Sequence, residues 1–143
     1  MIVKSILSAK GRDVATIAPT ATLAEATKIL AERKIGALVV TGAGGRIVGI
    51  VSERDMVRAF AQHGVSAFQR PLTDVMTRKV VTCSLTDTVS MLMERMTAGK
   101  FRHLPVTDND ELVGIISIGD VVKYRLTELE FEKDAMRDYI QTA

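Results

Sequence analysis

Two short segments hold residue types whose spacing could do chemistry: Ser52-Glu53-Arg54-Asp55 and Ser117-Ile118-Gly119-Asp120. Each follows an apolar run broken by one glycine, Ile47-Val48-Gly49-Ile50-Val51 and Leu112-Val113-Gly114-Ile115-Ile116. A strand that ends in Ser-x-x-Asp opens a helix, and a helix start turns unpaired amides and a positive dipole end toward an anion. The Ser hydroxyl adds a donor. The Asp carboxylate only accepts, so it repels phosphate and suits a pair of neighbouring hydroxyls. A ligand with a phosphate and a vicinal diol meets both demands, and that is a ribonucleotide. The plainer alternative is a helix cap, with Ser at the N-cap and Asp three positions on. Capping and binding can coexist.

The elements that must position these groups are themselves repeated. Aligning Val14 with Val80 pairs Thr16 with Thr82, Thr22 with Thr88, Lys34 with Lys100 and Leu38 with Leu104. Val40-Thr41 then meets Val106-Thr107, and a turn one residue shorter in the second copy brings Ser52 onto Ser117 and Asp55 onto Asp120. Each unit predicts strand, helix, strand, turn, strand, helix. In the first, a strand over 14–17 stops at Pro19. A helix then opens at the capping-box spacing Thr22-x-x-Glu25, carries Leu23, Ala26, Ile29 (or Thr27) and Leu30 on one stripe and ends at Ile35-Gly36. Strands over 37–40 and 46–51 flank the glycine-rich turn 42–45, and a helix runs from Ser52 to about His63. The second unit predicts strands over 80–83, 103–106 and 112–116 and a helix over 88–96. One helical turn over 72–76 precedes it, the counterpart of 3–7 before the first. The organisation expected is a first repeat with its short leading helix over 1–63, a linker over 64–71, a second repeat over 72–123 and a helical extension over 124–143. The last helix is expected to start at Ser117 and run on to Ile140; along it Val122, Leu126, Leu129, Met136 and Ile140 follow a 4-3 spacing interrupted by Lys133, a stripe suited to a second copy of the chain.

With 143 residues, 47% hydrophobic and only 4% aromatic, the core must be built from Val, Ile, Leu, Met and Ala. A net charge of +2 is too mild to argue for nucleic acid. Cys83, the sole cysteine, excludes an internal disulfide and reads as a buried filler. No signal-peptide pattern and no run of about 20 apolar residues is present, so a cytoplasmic, soluble chain away from membranes is expected. His63 and His103 have no Cys or carboxylate cluster at ligand spacing, which offers no zinc site. Gly42-x-Gly44-Gly45 precedes a strand, unlike a dinucleotide fingerprint or a P-loop. No serine or cysteine has a base and orienting acid beside it, so catalysis is not expected.

The duplicated Gly-x-x-Ser-x-x-Asp segments, the strand-Pro start Thr16-Ile17-Ala18-Pro19 and the run Phe101-Arg102-His103-Leu104-Pro105-Val106 together resemble a tandem cystathionine-β-synthase (CBS) domain pair, or Bateman module, over nearly the whole chain. The resemblance implies an α/β (α+β) fold of two repeats, each a small three-stranded sheet with two helices. The repeats pack with pseudo-two-fold symmetry through their sheets, leaving two clefts, and a long C-terminal helix follows. It implies a regulatory ligand of the adenine-nucleotide class (AMP, ADP, ATP or NAD), with Asp55 and Asp120 at the ribose and Ser52 and Ser117 near phosphate. Thr16, Ala18, Ile35 and Ile50 would wall one adenine slot, and Thr82, Ser84, Phe101 and Ile115 the other. Arg102 and His103, on the strand that continues through Pro105, would face phosphates. Their first-unit counterparts are Gly36 and Ala37, where Arg54 partly compensates because its own counterpart is Gly119. Solvated charge for Arg102, a core-edge imidazole for His103 and a buried ring for Phe101 are the structural alternatives. The chain is therefore expected to be a homodimeric, nucleotide-binding regulatory module acting on an unidentified protein target. The alternative is a ligand-independent dimeric adaptor that works through its C-terminal helix.

Overall fold

The computed structural model describes residues 1–142. The elements run α1 (Val3–Lys10), β1 (Thr16–Ile17), α2 (Leu23–Arg33), β2 (Ala37–Thr41), β3 (Ile47–Ser52) and α3 (Glu53–His63). They continue with α4 (Leu72–Val75), β4 (Cys83–Ser84), α5 (Val89–Gly99), β5 (His103–Asp108), β6 (Glu111–Ser117) and α6 (Ile118–Thr142). The repeat holds in register. β1 lies parallel to β2 with Ile17 opposite Val40, and β4 lies parallel to β5 with Cys83 opposite Val106. Each sheet closes with an antiparallel third strand, and each carries one irregularity, after Val40 and after Val106.

Local chemistry accounts for the boundaries. Thr22 and Glu25 form the expected reciprocal cap on α2, and Thr88 accepts the Met91 amide on α5. Both helices end on a lysine in the left-handed region, Lys34 and Lys100. The β5–β6 connection is a tight turn with Asn109 and Asp110 at positive φ, whereas the glycine-rich β2–β3 connection coils into a short 3-10 turn with Gly44 and Gly45 at positive φ. The opening strand of each repeat is shorter than the sequence predicts. Residues 80–82 stay outside the ladder, since β4 begins only at Cys83. The segment 64–71 is no open linker: Gly64–Gln69 forms a 3-10 turn whose Ala67 is buried in the first core.

Two cores result, one beneath each sheet, and each is completed by a short helix outside its own sheet-and-helix unit. Leu23, Leu30, Leu38, Val40 and Val51 of the first repeat pack with Leu72 and Met76 from α4 and its end. Leu92, Leu104, Val106 and Ile116 of the second pack with Val3, Ile6 and Leu7 of α1. The short leading helix thus precedes the first repeat in sequence but fills the second in space. Backbone bridges tie both arrangements the same way, Ile2 to Thr88 and Pro71 to Thr22. On β2, Leu38 and Val40 point into the first core, while Ala37 and Val39 are buried on the opposite face, where the two sheets meet.

Candidate functional site

The first helix start is already engaged. Ser52 donates both its amide (2.8 Å) and its hydroxyl (3.1 Å) to Asp55 Oδ2. Asp55 Oδ1 accepts the Thr77 hydroxyl at 2.8 Å and a longer contact from Arg58 at 3.4 Å. With four donors on its lone pairs and 3% exposure, Asp55 is the one buried charged residue among those described. The second start repeats the pattern. Ser117 donates its amide (2.9 Å) and hydroxyl (3.0 Å) to Asp120 Oδ2, and the Asp120 amide returns a bond to the Ser117 hydroxyl at 3.2 Å. The first amide of each helix is also taken, Glu53 by the Gly36 carbonyl and Ile118 by the Arg102 carbonyl. Capping is therefore realised in both copies, and the open anion cradle suggested by the motif alone is narrower than expected.

Above the first start lies a cleft of about 650 Å³. Gly36, Ile50, Ser52, Arg54 and Asp55 enter it from the first repeat, and Phe101, Arg102 and His103 from the second. The separation of these residues into two repeat-specific slots does not hold for Ile50 and Phe101, which share one cleft. The reason is the pseudo-two-fold packing: it sets the β3–α3 corner of one repeat against the α5–β5 corner of the other. Arg54 makes this junction directly, donating to the Lys100 carbonyl left free by the end of α5. The His103 ring lies against Gly36, where a Cβ would come within 3.1 Å of Cε1, so the missing side chain there makes room for the imidazole.

Thr16 lines a smaller hollow of about 360 Å³ with Thr41, Arg46, Asp110 and Glu111, on the side of the interstrand turns. Ala18, Ile35, Ala37, Thr82, Ser84, Pro105, Ile115, Ser117 and Asp120 line neither cavity. Ala37 and Pro105 are buried, and Ile35 packs against the first core. Sequence reasoning missed Thr77, Lys79, Val80, Val81, Arg58 and Lys100, all on the cleft wall. Arg58 was findable, being one helical turn beyond Asp55. Thr77 and Lys79 were not, because they lie between the repeated motifs and reach the cleft only through an antiparallel bridge of Thr77 to Ile50.

The cleft is strongly cationic: Arg54, Arg58, Lys79, Lys100 and Arg102 face Glu53 and Asp55. Burial, together with the Lys10 and Arg102 charges, holds the His103 imidazole below its ordinary range against the pull of Glu53 and Asp120. Its walls Ile50, Val57, Val80, Val81 and Phe101 are apolar. An anion carrying a flat apolar moiety is what such a surface can hold. Cys83 takes no part: burial pushes its thiol up to about 12, so it stays protonated in the second core.

Two like repeats with a ligand-sized cleft at their junction define a tandem domain pair. The chain belongs to the CBS-domain family, whose model matches it twice, over residues 3–62 and 72–127. It is similar to a CBS-domain-containing protein of Agrobacterium tumefaciens at 50% identity, with 87% of this chain and 99% of that chain covered and a TM-score of 0.86. It is also similar to a CBS domain protein of Pyrobaculum aerophilum complexed with AMP, at 32% identity, 93% and 99% coverage and a TM-score of 0.79. A third similar structure is a CBS domain pair in complex with 5-methylthioadenosine and S-adenosyl-L-methionine, at 26% identity, 90% and 98% coverage and a TM-score of 0.79. The chain spans 60% of the length of the first curated relative it matches and 21% of others. No described helix is long and apolar enough to cross a membrane.

Proposed function

We propose that this chain is a regulatory module that binds one class of ligand, an adenine nucleotide, in the cleft between its repeats. The observation that carries this reading is the cleft itself: five cations and an imidazole around apolar walls, closed at its base by a buried Asp55. Phosphates would lie against Arg102, His103, Lys79 and Arg54, and adenine between Ile50, Val80 and Phe101. The ribose hydroxyls would reach Asp55 Oδ1 by replacing its longest contact, from Arg58 at 3.4 Å, while Thr77 stays in place. The AMP complex of the Pyrobaculum aerophilum relative and the adenosyl ligands of the third structure support the adenosine part. The excess of cations supports a ligand with more than one phosphate, ADP, ATP or NAD, over AMP.

Calorimetry on ligand-free protein with AMP, ATP and NAD tests this. Binding should be tightest for the polyphosphates and should fall at least tenfold in Arg102→Ala. A ligand at 100 times its dissociation constant adds about 2.7 kcal/mol of stability, so a thermal shift accompanies it. Absence of both signals for all three nucleotides sinks the proposal.

A homodimer through α6 is part of the proposal. Its Val122, Leu126, Leu129, Met136 and Ile140 are all exposed in the single chain. Leu126→Asp with Leu129→Asp should convert a dimer to a monomer in sedimentation equilibrium without loss of helix content.

A further inference from the structure

The two helix starts are alike, but what stands over them is not. Gly49 and Gly114 occupy equivalent places, and beneath them lie Met76 and Leu7 respectively: a Cβ would come within 2.5 Å of Met76 Sδ and 2.7 Å of Leu7 Cδ1. From these anchors the chain takes different courses. After Met76 the backbone turns extended, and Thr77 pairs with Ile50 through two backbone bonds of 2.9 Å. After Leu7 the helix continues to Lys10 and stops only at Gly11, which has φ 100°. That extra helical turn carries the Lys10 ammonium over the second helix start. There it donates to Asp120 Oδ2 at 2.6 Å and to the Ile115 carbonyl at 3.0 Å. Ile115 is the counterpart of Ile50 and Asp120 the counterpart of Asp55. Lys79, three residues beyond Met76 as Lys10 is beyond Leu7, instead lines the open cleft and, among the described residues, meets no carboxylate.

We infer that Lys10 is a built-in occupant of the second nucleotide position, so that each chain binds a single nucleotide, at Asp55. The inference rests on the nucleotide function proposed above. The ammonium shares Asp120 Oδ2 with the Ser117 amide and hydroxyl, and its second bond takes the Ile115 carbonyl, so its head group stands in the space a ribose diol would need to reach the carboxylate. A diol that is to chelate the Asp120 carboxylate must move a short charge-assisted pair off Oδ2, whereas at Asp55 Oδ1 it displaces only a 3.4 Å contact. Residue Lys10 therefore decides stoichiometry without touching the first ligand.

Equilibrium dialysis with radiolabelled AMP and ATP, on the full chain, tests this. The native chain and Lys10→Arg should bind one nucleotide per chain, Lys10→Ala two, and Lys10→Ala with Asp120→Asn one again. Lys10 is partly exposed on its helix, and the folded state of each variant is checked by its thermal unfolding. Two nucleotides on the native chain, or one on Lys10→Ala, overturns the inference and leaves the first site intact. No binding to any variant overturns both the inference and the function it rests on.

Discussion

Asp55 and Asp120 show how one motif serves two ends. Both carboxylates accept the amide and hydroxyl of the serine three residues before them, so each is first a helix cap. What differs is the further partner: a threonine hydroxyl and a distant guanidinium on Asp55 Oδ1, and an ammonium on Asp120 Oδ2, the oxygen that Ser117 already holds. Burial works against the charge on Asp120, but Lys10 and the Ser117 amide outweigh it and hold the carboxyl below the usual aspartate range. His103 sits between these two centres and is neutral near pH 7, chiefly because it is buried. A phosphate beside it favours the imidazolium, so its pKa rises on binding and a proton is taken up. The affinity for ATP should accordingly increase as the solution is acidified, because the bound state holds the imidazole proton more tightly than the free state does. Calorimetry at pH 7.5 and 5.5 checks this, and the increase should vanish in His103→Gln. An unchanged slope in that variant would assign the effect to another group.

Among the elements, the glycine of each third strand is the critical residue. Gly49 and Gly114 let the side chains of Met76 and Leu7 come up against the strand backbone, which is how the preceding helical turns dock on the sheets. At Gly49 a Cβ also comes within 3.0 Å of the Thr77 carbonyl, which belongs to the bridge that holds the cleft wall. Gly114→Ala and Gly49→Ala should each lose about 1–3 kcal/mol of stability, measured by urea unfolding. Only Gly49→Ala should also weaken nucleotide binding, because only it disturbs Thr77.

At the scale of the whole molecule, α1 ties the start of the chain to its second half. Val3, Ile6 and Leu7 are fully enclosed there, and the Val3 and Lys4 amides donate to the Asp87 and Leu85 carbonyls. The first repeat is completed by α4, which follows it directly, whereas the second needs α1 from the start of the chain, so the second core closes only across the first repeat. Ile6→Ala should therefore destabilise the molecule by about 2–5 kcal/mol in a single cooperative transition. A separate transition for the second repeat, with the first unaffected, would contradict this coupling.

The alternation of apolar residues, the Thr22 and Thr88 caps and the doubled Val-Gly-Ile-x-Ser segment are local patterns, and by themselves they determined the order of strands and helices within each repeat and the helix that starts at Glu53 and ends at His63. The motif and the family resemblance single out Ser52, Asp55, Arg102 and His103, and all four line one cleft. Pairings between the repeats left no such local trace. Only the tertiary structure decided that Ile50 shares a cleft with Phe101, that Thr77 rests on Asp55, and that Lys10 rests on Asp120. A period along one segment reports which face of that segment is buried. The partner on that face is set by the packing of the two sheets and by the single turn by which α1 outruns α4.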